Sequence, residues 1–311
     1  MRVGIDCRKI ADFGIGTYIR GLLHAMTGIQ YVAFGPRQIA PMLPAGVEHI
    51  VVNPPKYSLR ELFAFRDLRV DLFHAPHYVV PFVRVPFVVT IHDLIHLRHR
   101  NPLARAYARR MIGRAVRKSR AVLTVSNTVR DDIAATFGHR EKITITPNGV
   151  DALFTPNGPK APGRYFLFVG NDKPHKNVGR LIEAAKSIGV ELVRAGSARF
   201  VSGEELAALY RGAIALVLPS IEEGFGLPAL EAMACGTAVI TSNAPALIEL
   251  TRDAAIHVDA MSVDAIGDAM KRVMRDDSLR QSMIERGLDR ARDFTWKRCA
   301  EMTREIYRRI A

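Results

Sequence analysis

Two carboxylates and an ammonium group have the types and spacing to do chemistry. In Leu218–Gly236, Glu223 and Glu231 stand eight positions apart around the turn Gly224-Phe225-Gly226, which Leu227-Pro228 closes. A strand ends at Pro219, and a helix is predicted to open at Pro228, where the missing N–H does no harm. The N–H groups of Gly226 and Leu227 can then face an anion, with the helix dipole behind them. Glycines at 224 and 226 let the backbone approach a ligand with no Cβ in the way. Glu231, about one turn into the helix, can accept two hydrogen bonds from a vicinal diol such as a ribose offers. The plainer alternative is a helix start with solvated carboxylates. A Gly-x-Gly turn, a proline and two spaced Glu coincide here, which argues against it. A second loop, Gly170-Asn171-Asp172-Lys173-Pro174-His175-Lys176-Asn177, follows an apolar strand and precedes a helix. Lys176 sits just ahead of that helix, where an ammonium can reach a diphosphate as a point charge.

The first half is less specific. Asp12-Phe13-Gly14-Ile15-Gly16-Thr17-Tyr18 follows the first strand and opens a helix, but Ile19 stands where a full dinucleotide fingerprint needs its last glycine. Gly16 is therefore either a phosphate-loop residue or part of a plain tight turn. The strand Val88–Ile91 ends in His92-Asp93, which fits either an active site at a strand's carboxyl end or a structural hydrogen bond. No Asp-x-Asp occurs, and the ten histidines lack paired ligand spacing apart from scattered cases such as His74 and His77, so no metal is expected.

Positioning these loops takes strands that end side by side. Apolar runs at 3–5, 31–34, 50–52, 72–73, 87–91, 121–125 and 143–145 read as strands, with amphipathic helices at 16–26, 104–117 and 129–137. A Pro/Gly/Asn-rich stretch runs from Thr146 to Gly163 and reads as a linker. Strands at 165–169, 191–195, 214–219 and 238–241 then alternate with helices at 178–188, 203–211 and 228–234. The tail from Val263 is mostly helical. Such βαβ alternation implies parallel sheets flanked by helices. The expected division is a first α/β domain over 1–155, a second over 164–295, and a terminal helix at 296–311 that can cross back to the first.

The chain's 311 residues carry 44 Lys+Arg and 31 Asp+Glu, a formal charge of +13. The excess is uneven: residues 1–155 hold 22 basic and 11 acidic side chains (+11), and the remainder hold 22 and 20 (+2). At 48% apolar composition the chain can build true cores, which excludes a disordered basic tail. Three cysteines at unrelated spacings exclude a disulfide framework and fit a reducing cytosol. No apolar run reaches the roughly 18 residues of a membrane span. Nine cations and no acidic residue lie between Arg98 and Arg120, among them Arg100, Arg105, Arg109, Arg110, Arg114, Arg117 and Lys118. On a helix, Leu103, Tyr107, Met111 and Val116 can share an apolar side. Three readings stand: a solvated helix, a surface drawn to anionic lipid at about 1 kcal/mol per nearby cation, or a nucleic-acid surface. The last has the least support, because no stacking platform or helix-turn-helix signal accompanies the charge.

Taken together, these residues resemble the retaining glycosyltransferases of family 4. Their GT-B architecture is α/β: two Rossmann-like domains facing across a cleft, each a mostly parallel sheet flanked by helices. The likeness is carried by Glu223-x7-Glu231 in its Pro-Ser-x-x-Glu-Gly-Phe-Gly-Leu-Pro context and by Lys176-Asn177. Pro147-Asn148-Gly149-Val150 and Thr90-Ile91-His92-Asp93 add to it. The resemblance implies catalytic roles for His92, Glu223 and Lys176, with His92 beside the transferring sugar and Glu223 touching it. It implies donor binding by Gly16, Lys176, Glu223, the turn Gly224-Phe225-Gly226-Leu227 and the ribose-holding Glu231. Asn171 and Lys173 complete the implied donor-binding set; Asn171 stands where the family often has an arginine, so one phosphate cation is either missing or supplied by Lys173.

The implied reaction moves a hexose, with retention and without a metal, from a nucleotide diphosphate sugar to a glycan or glycolipid acceptor. No cofactor beyond the nucleotide sugar is called for. The context of His92 looks like that of mannosyltransferases, which favours mannose and a GDP-sugar over a UDP-sugar. Because many relatives glycosylate lipid-linked acceptors, the basic helix gains weight as an anionic-membrane patch, at the cytoplasmic face of the cell membrane. The alternative is a catalytically silent basic module, binding membrane or nucleic acid, on the same fold. The intact set of Glu223, Glu231 and Lys176 weighs against it.

Overall fold

The computed structural model describes residues 1–54, 59–63, 65, 68–98, 101–196 and 201–311. Arg100 of the basic stretch lies outside the described residues. The chain forms two compact units, residues 1–149 with 296–311, and residues 150–295.

The first unit runs β1 (Arg2–Asp6), α1 (Phe13–Ala25), β2 (Gln30–Gly35), β3 (Glu48–Val51), α2 (Leu59–Phe63), β4 (Leu72–Ala75), β5 (Phe87–Ile91), α3 (Pro102–Lys118), β6 (Ala121–Thr124), α4 (Asn127–Phe137) and β7 (Ile143–Ile145). The strands pair in the order β3-β2-β1-β4-β5-β6-β7, every pair parallel. The order reverses between β1 and β4, the place where open α/β sheets bind ligands. β4, β5 and β6 are buried at every position, as expected of parallel strands covered on both faces. Val3, Ile5, Leu22 and Leu123 pack on one face of the sheet and Phe73, Val89, Ile112 and Val122 on the other.

Within α3 the sequence expectation needs correcting. Asn101 caps the helix by accepting from the N–H groups of Leu103 and Ala104, as an N-cap does. That first turn stands clear of the sheet, and Leu103 is 80% exposed. Burial begins at Ala108 and takes in Met111 and Val116, so Leu103 does not join their apolar side.

The second unit comprises β8 (Tyr165–Gly170), α5 (Val178–Ser187), β9 (Glu191–Gly196), α6 (Gly203–Gly212), β10 (Ala215–Leu218), α7 (Leu227–Ala234), β11 (Ala238–Ser242), α8 (Pro245–Thr251), β12 (Ala255–Val258), α9 (Val263–Arg275) and α10 (Asp277–Ala291). Its parallel sheet has the order β12-β11-β10-β8-β9 and reverses between β8 and β10. Phe166 and Leu167 register with Ala215 and Leu216. The loops that follow these two strands therefore leave the same edge as neighbours. α8 and β12 fall between residues 241 and 263, where the sequence pattern assigned no element.

The C-terminal helix α11 (Trp296–Ile310) packs on α1 of the first unit, burying Trp296, Cys299, Ile306 and Tyr307. Gly21 of α1 makes this possible. A Cβ there would lie 2.2 Å from the Trp296 indole.

Candidate active site

In the second unit the loop after β8 and the loop after β10 are joined by their backbones, the Ile221 N–H donating to the His175 carbonyl at 2.7 Å. Asn177 fixes the first loop from below. It adopts φ 57°, a left-handed conformation asparagine tolerates better than most residues. Its side-chain amide donates to the carbonyls of Pro219 and Ala260, at 3.1 and 2.6 Å. This buried clamp sets Lys176 against the second loop. Its Nζ lies 2.6 Å from Glu223 Oε1, and the Ser220 hydroxyl donates to the same oxygen at 2.8 Å. Lys176 and Glu223, 47 residues apart, thus form one ion pair with side chains only 14% and 10% exposed.

The glycine turn forms the start of α7. Gly226 caps α7 with φ 101°, a region glycine alone enters cheaply. A Cβ at that position would meet Leu247 Cδ2 at 2.5 Å. Leu227, not Pro228, is the first helical residue, so Pro228 takes the second position. Proline there still removes an N–H that has no partner within the helix. Gly224, Phe225 and Gly226 are buried.

Glu231, half-buried on α7, accepts a hydrogen bond from the Tyr210 hydroxyl at 2.7 Å. Burial raises its carboxyl and the Tyr210 bond lowers it. With Asp151 raising it again, the balance stands at about 7. Tyr210 carried no signal in the sequence. Asn171 and Lys173 are not drawn into the Lys176–Glu223 pair. Asn171 Oδ1 instead accepts from the Lys173 backbone N–H at 3.2 Å, and Lys173 is exposed.

In the first unit, His92 stands at the end of β5. Its Nε2 is 3.0 Å from the Pro76 carbonyl, which can only accept, so Nε2 carries the proton and Nδ1 offers a lone pair. Burial holds the ring well below the usual histidine range, although the Asp93 charge raises it. Asp93 does not bond His92. Its Oδ1 accepts from the Ile95 N–H at 3.0 Å. Gly16 lies inside α1, and a Cβ there would come within 2.3 Å of the Ile10 carbonyl oxygen.

The two histidines closest to ligand spacing go separate ways. His74 joins Thr90 and Tyr307. His77 places Nε2 3.3 Å from Asp6. Asp6 itself is gripped by Arg8 through Nε and Nη2, at 2.8 and 2.5 Å, and Arg8 reaches on to Glu61 at 3.0 Å. Burial raises the Asp6 carboxyl, but Arg8 outweighs it and holds the group below the carboxylate range. Among the described residues no cluster of three or more His, Cys, Asp or Glu could hold a metal ion.

The basic helix divides. Arg105, Arg109, Arg110, Arg117 and Lys118 are exposed. Arg114 turns inward, donating to the Val80 and Pro81 carbonyls and lying 4.1 Å over the Phe82 ring. Burial lowers its pKa. It is a structural cation and leaves the expected surface patch. Among the described residues no helix is long and apolar enough to cross a membrane.

Residues 30–152 match the family profile described as Glycosyltransferase Family 4, and residues 197–290 match Glycosyl transferases group 1. The O-antigen chain mannosyltransferase B of Escherichia coli is 29% identical over 80% of this chain and 77% of its own length. The O-antigen chain mannosyltransferase RfbU of Salmonella typhimurium is 32% identical over 70% and 68%. Among solved structures, the sucrose-phosphate synthase of Thermosynechococcus elongatus superposes with a TM-score of 0.84 at 18% identity, covering 99% of this chain and 98% of that one. That likeness carries the fold.

Proposed function

The chain belongs to glycosyltransferase family 4, and from that premise we propose that it is a metal-independent retaining hexosyltransferase that takes mannose from GDP-mannose to a glycan or lipid-linked glycan. The observation that carries the reading is the Lys176–Glu223 pair, held where the loops after β8 and β10 meet. A leaving diphosphate needs positive charge as it departs. Lys176 supplies a full charge, and the Gly226 and Leu227 N–H groups supply the α7 dipole end. Glu231 is the natural holder of the ribose diol, and the exposed Lys173 is the candidate for a second phosphate cation. Glu223, already oriented by Ser220 and Lys176, presents its second oxygen to the sugar hydroxyls. His92, neutral with a lone pair on Nδ1, accepts from a hydroxyl of the transferring sugar.

In the retaining step the bond from the anomeric carbon to the diphosphate oxygen breaks. That oxygen takes the proton of the acceptor hydroxyl, and the acceptor oxygen bonds to the same face of the anomeric carbon. The protein's part is to stabilise the leaving charge and hold the partners in place.

The donor assignment rests on the mannosyltransferase relatives. Thermal shift with GDP, UDP, GDP-mannose and UDP-glucose tests it, since a ligand that binds only the folded state raises Tm. The largest shift is expected with GDP and GDP-mannose, and a larger one with UDP overturns the GDP reading. Proton NMR of the product's anomeric signal tests retention, and an inverted configuration removes it.

The acceptor side of the proposal includes an anionic membrane surface. Leu103, Arg105, Arg109 and Arg110 are all exposed on α3, and Arg114 of the same helix stacks on Phe82, whose ring centroid is 5.2 Å from that of Phe63. Phe82 and Phe63 are 41% and 43% exposed. Cations around exposed apolar groups suit a lipid headgroup layer. Co-sedimentation should occur with anionic vesicles and not with zwitterionic ones, and weaken when Arg105, Arg109 and Arg110 become Glu. Equal sedimentation with both vesicle types, or with neither, removes the membrane from the proposal.

A further inference from the structure

Behind His92 runs a chain of four polar side chains that the reaction does not touch. Tyr307 OH lies 2.5 Å from His74 Nδ1, His74 Nε2 lies 2.7 Å from Thr90 Oγ1, and Thr90 Oγ1 lies 3.0 Å from Tyr18 OH. All four residues are fully buried. Burial drives the His74 ring down to about 3, so it is neutral, with one nitrogen donating and the other accepting. His74 therefore donates one of its two bonds and accepts the other, and the Thr90 hydroxyl, with one proton and two lone pairs, can meet either arrangement. The chain is satisfied whichever way its protons run.

The connections give this chain a direction. Thr90 and His92 are two apart at the end of β5, so their side chains leave the same face of the strand. Tyr18 spans both. Its hydroxyl meets Thr90, while its ring meets the His92 ring edge-on, with centroids 4.9 Å apart and an interplanar angle of 77°. Tyr18 stands two residues after Gly16 on α1, and on its other side it packs against Trp296 of α11, centroids 6.3 Å apart. The strand bearing His92, the helix bearing Gly16 and the C-terminal helix are thus tied at one buried point. An apolar core would hold three elements together without desolvating four polar groups, and such groups tolerate no unpaired member.

We infer that Tyr307, His74 and Thr90 are positioning residues, a hydrogen-bonded brace that runs from the C-terminal helix through Tyr18 and fixes the ring of His92. The inference rests on the reading of His92 as a group that acts on the sugar, but its test reads the ring itself. Thr90→Val keeps the shape and removes the hydroxyl, Thr90→Ser keeps the hydroxyl, and Tyr307→Phe keeps the ring and removes the far end of the chain.

In the full-length protein labelled with 15N-histidine, long-range proton–nitrogen spectra report each imidazole's tautomer, and His92 is assigned by its loss in His92→Asn. The expected result is displaced or broadened His92 signals in Thr90→Val and Tyr307→Phe, and wild-type signals in Thr90→Ser. Release of nucleoside diphosphate from GDP-mannose and from UDP-glucose should fall by about ten-fold or more in the first two, while their affinity for free GDP and UDP stays at the wild-type level. His92 signals unmoved in both variants overturn the brace, as does a Thr90→Ser spectrum that matches Thr90→Val. Displaced signals with undiminished turnover uphold the brace and instead remove His92 from the reaction.

Discussion

Lys176 and Glu223 are paired at 2.6 Å across two loops that leave adjacent parallel strands, and the Ser220 hydroxyl donates to the same carboxylate oxygen. The pair is mostly shielded from water, so its charges are screened little. Neither partner is left uncompensated before a donor arrives. On the proposed reading, a diphosphate that reaches Lys176 finds a cation whose position is already set.

Removing either partner should therefore damage catalysis and also leave the other charge uncompensated. Lys176→Ala and Glu223→Ala should each lower transfer by about ten-fold or more, or about 1.4 kcal/mol. The double variant should lose much less than the two losses combined, because each single change also strands the other charge. Steady-state kinetics of the three variants checks this. Additive losses would mean that the pair does not act as a unit.

If Glu231 holds the ribose as proposed, nucleotide binding should depend on pH. Its carboxyl titrates at about 7, and only the ionised form accepts both hydrogen bonds of a ribose diol. Affinity for the nucleoside diphosphate should rise as pH passes upward through about 7. Tyr210→Phe removes the bond that lowers this pKa, so the midpoint should move higher. Folding responds in the opposite sense. Glu231 has its folded value raised from an ordinary 4.5, so the native state keeps a proton the unfolded chain has lost. Its contribution to stability is complete below about 4.5 and lost as pH rises through about 7. Calorimetric titration and thermal melts across that range test both statements.

Much of this could be read from residue order. Apolar runs bounded by Gly, Pro and Asn located most strands, because fully buried parallel strands are continuous hydrophobic segments. The Gly224–Leu227 turn was visible because glycine there answers a local backbone need. What stayed hidden depends on contacts between distant segments. Tyr210 reaches Glu231 from α6, and Asn177 reaches Ala260 from 83 residues away. Arg114 looked like one more surface cation, and only the carbonyls of Val80 and Pro81 reveal it as structural. Leu103 fitted the apolar periodicity of its helix, yet periodicity cannot show where a helix overhangs the sheet.

Gly226 carries a conformational requirement that a single methyl group tests. In Gly226→Ala the Cβ meets Leu247 Cδ2, a flexible side-chain end that can shift, but φ 101° remains strained for alanine. A cost of about 1–2 kcal/mol is expected, with nucleotide affinity reduced because the α7 N–H groups turn away. Pairing it with Leu247→Ala relieves the clash and not the backbone strain. The double variant should therefore recover little of the lost affinity. Full recovery would place the defect in side-chain crowding.

Gly21 tests the docking of the C-terminal helix. A Cβ at this position falls 2.2 Å from two atoms of the Trp296 indole, a rigid bicyclic ring that cannot swing aside as an aliphatic chain end can. Gly21→Ala raises the intrinsic helix propensity of α1 by about 1 kcal/mol, so a gain in stability would follow if the two helices were loosely packed. With α11 seated as it is, the overlap forces Trp296 outward and should cost about 1–3 kcal/mol, the range for overpacking a core. The net change is thus a lowered Tm. Trp296, the chain's one tryptophan, reports the displacement directly, because its fluorescence should shift to the red as the ring meets water. A raised Tm with unshifted fluorescence would show that α11 does not need the bare face of Gly21.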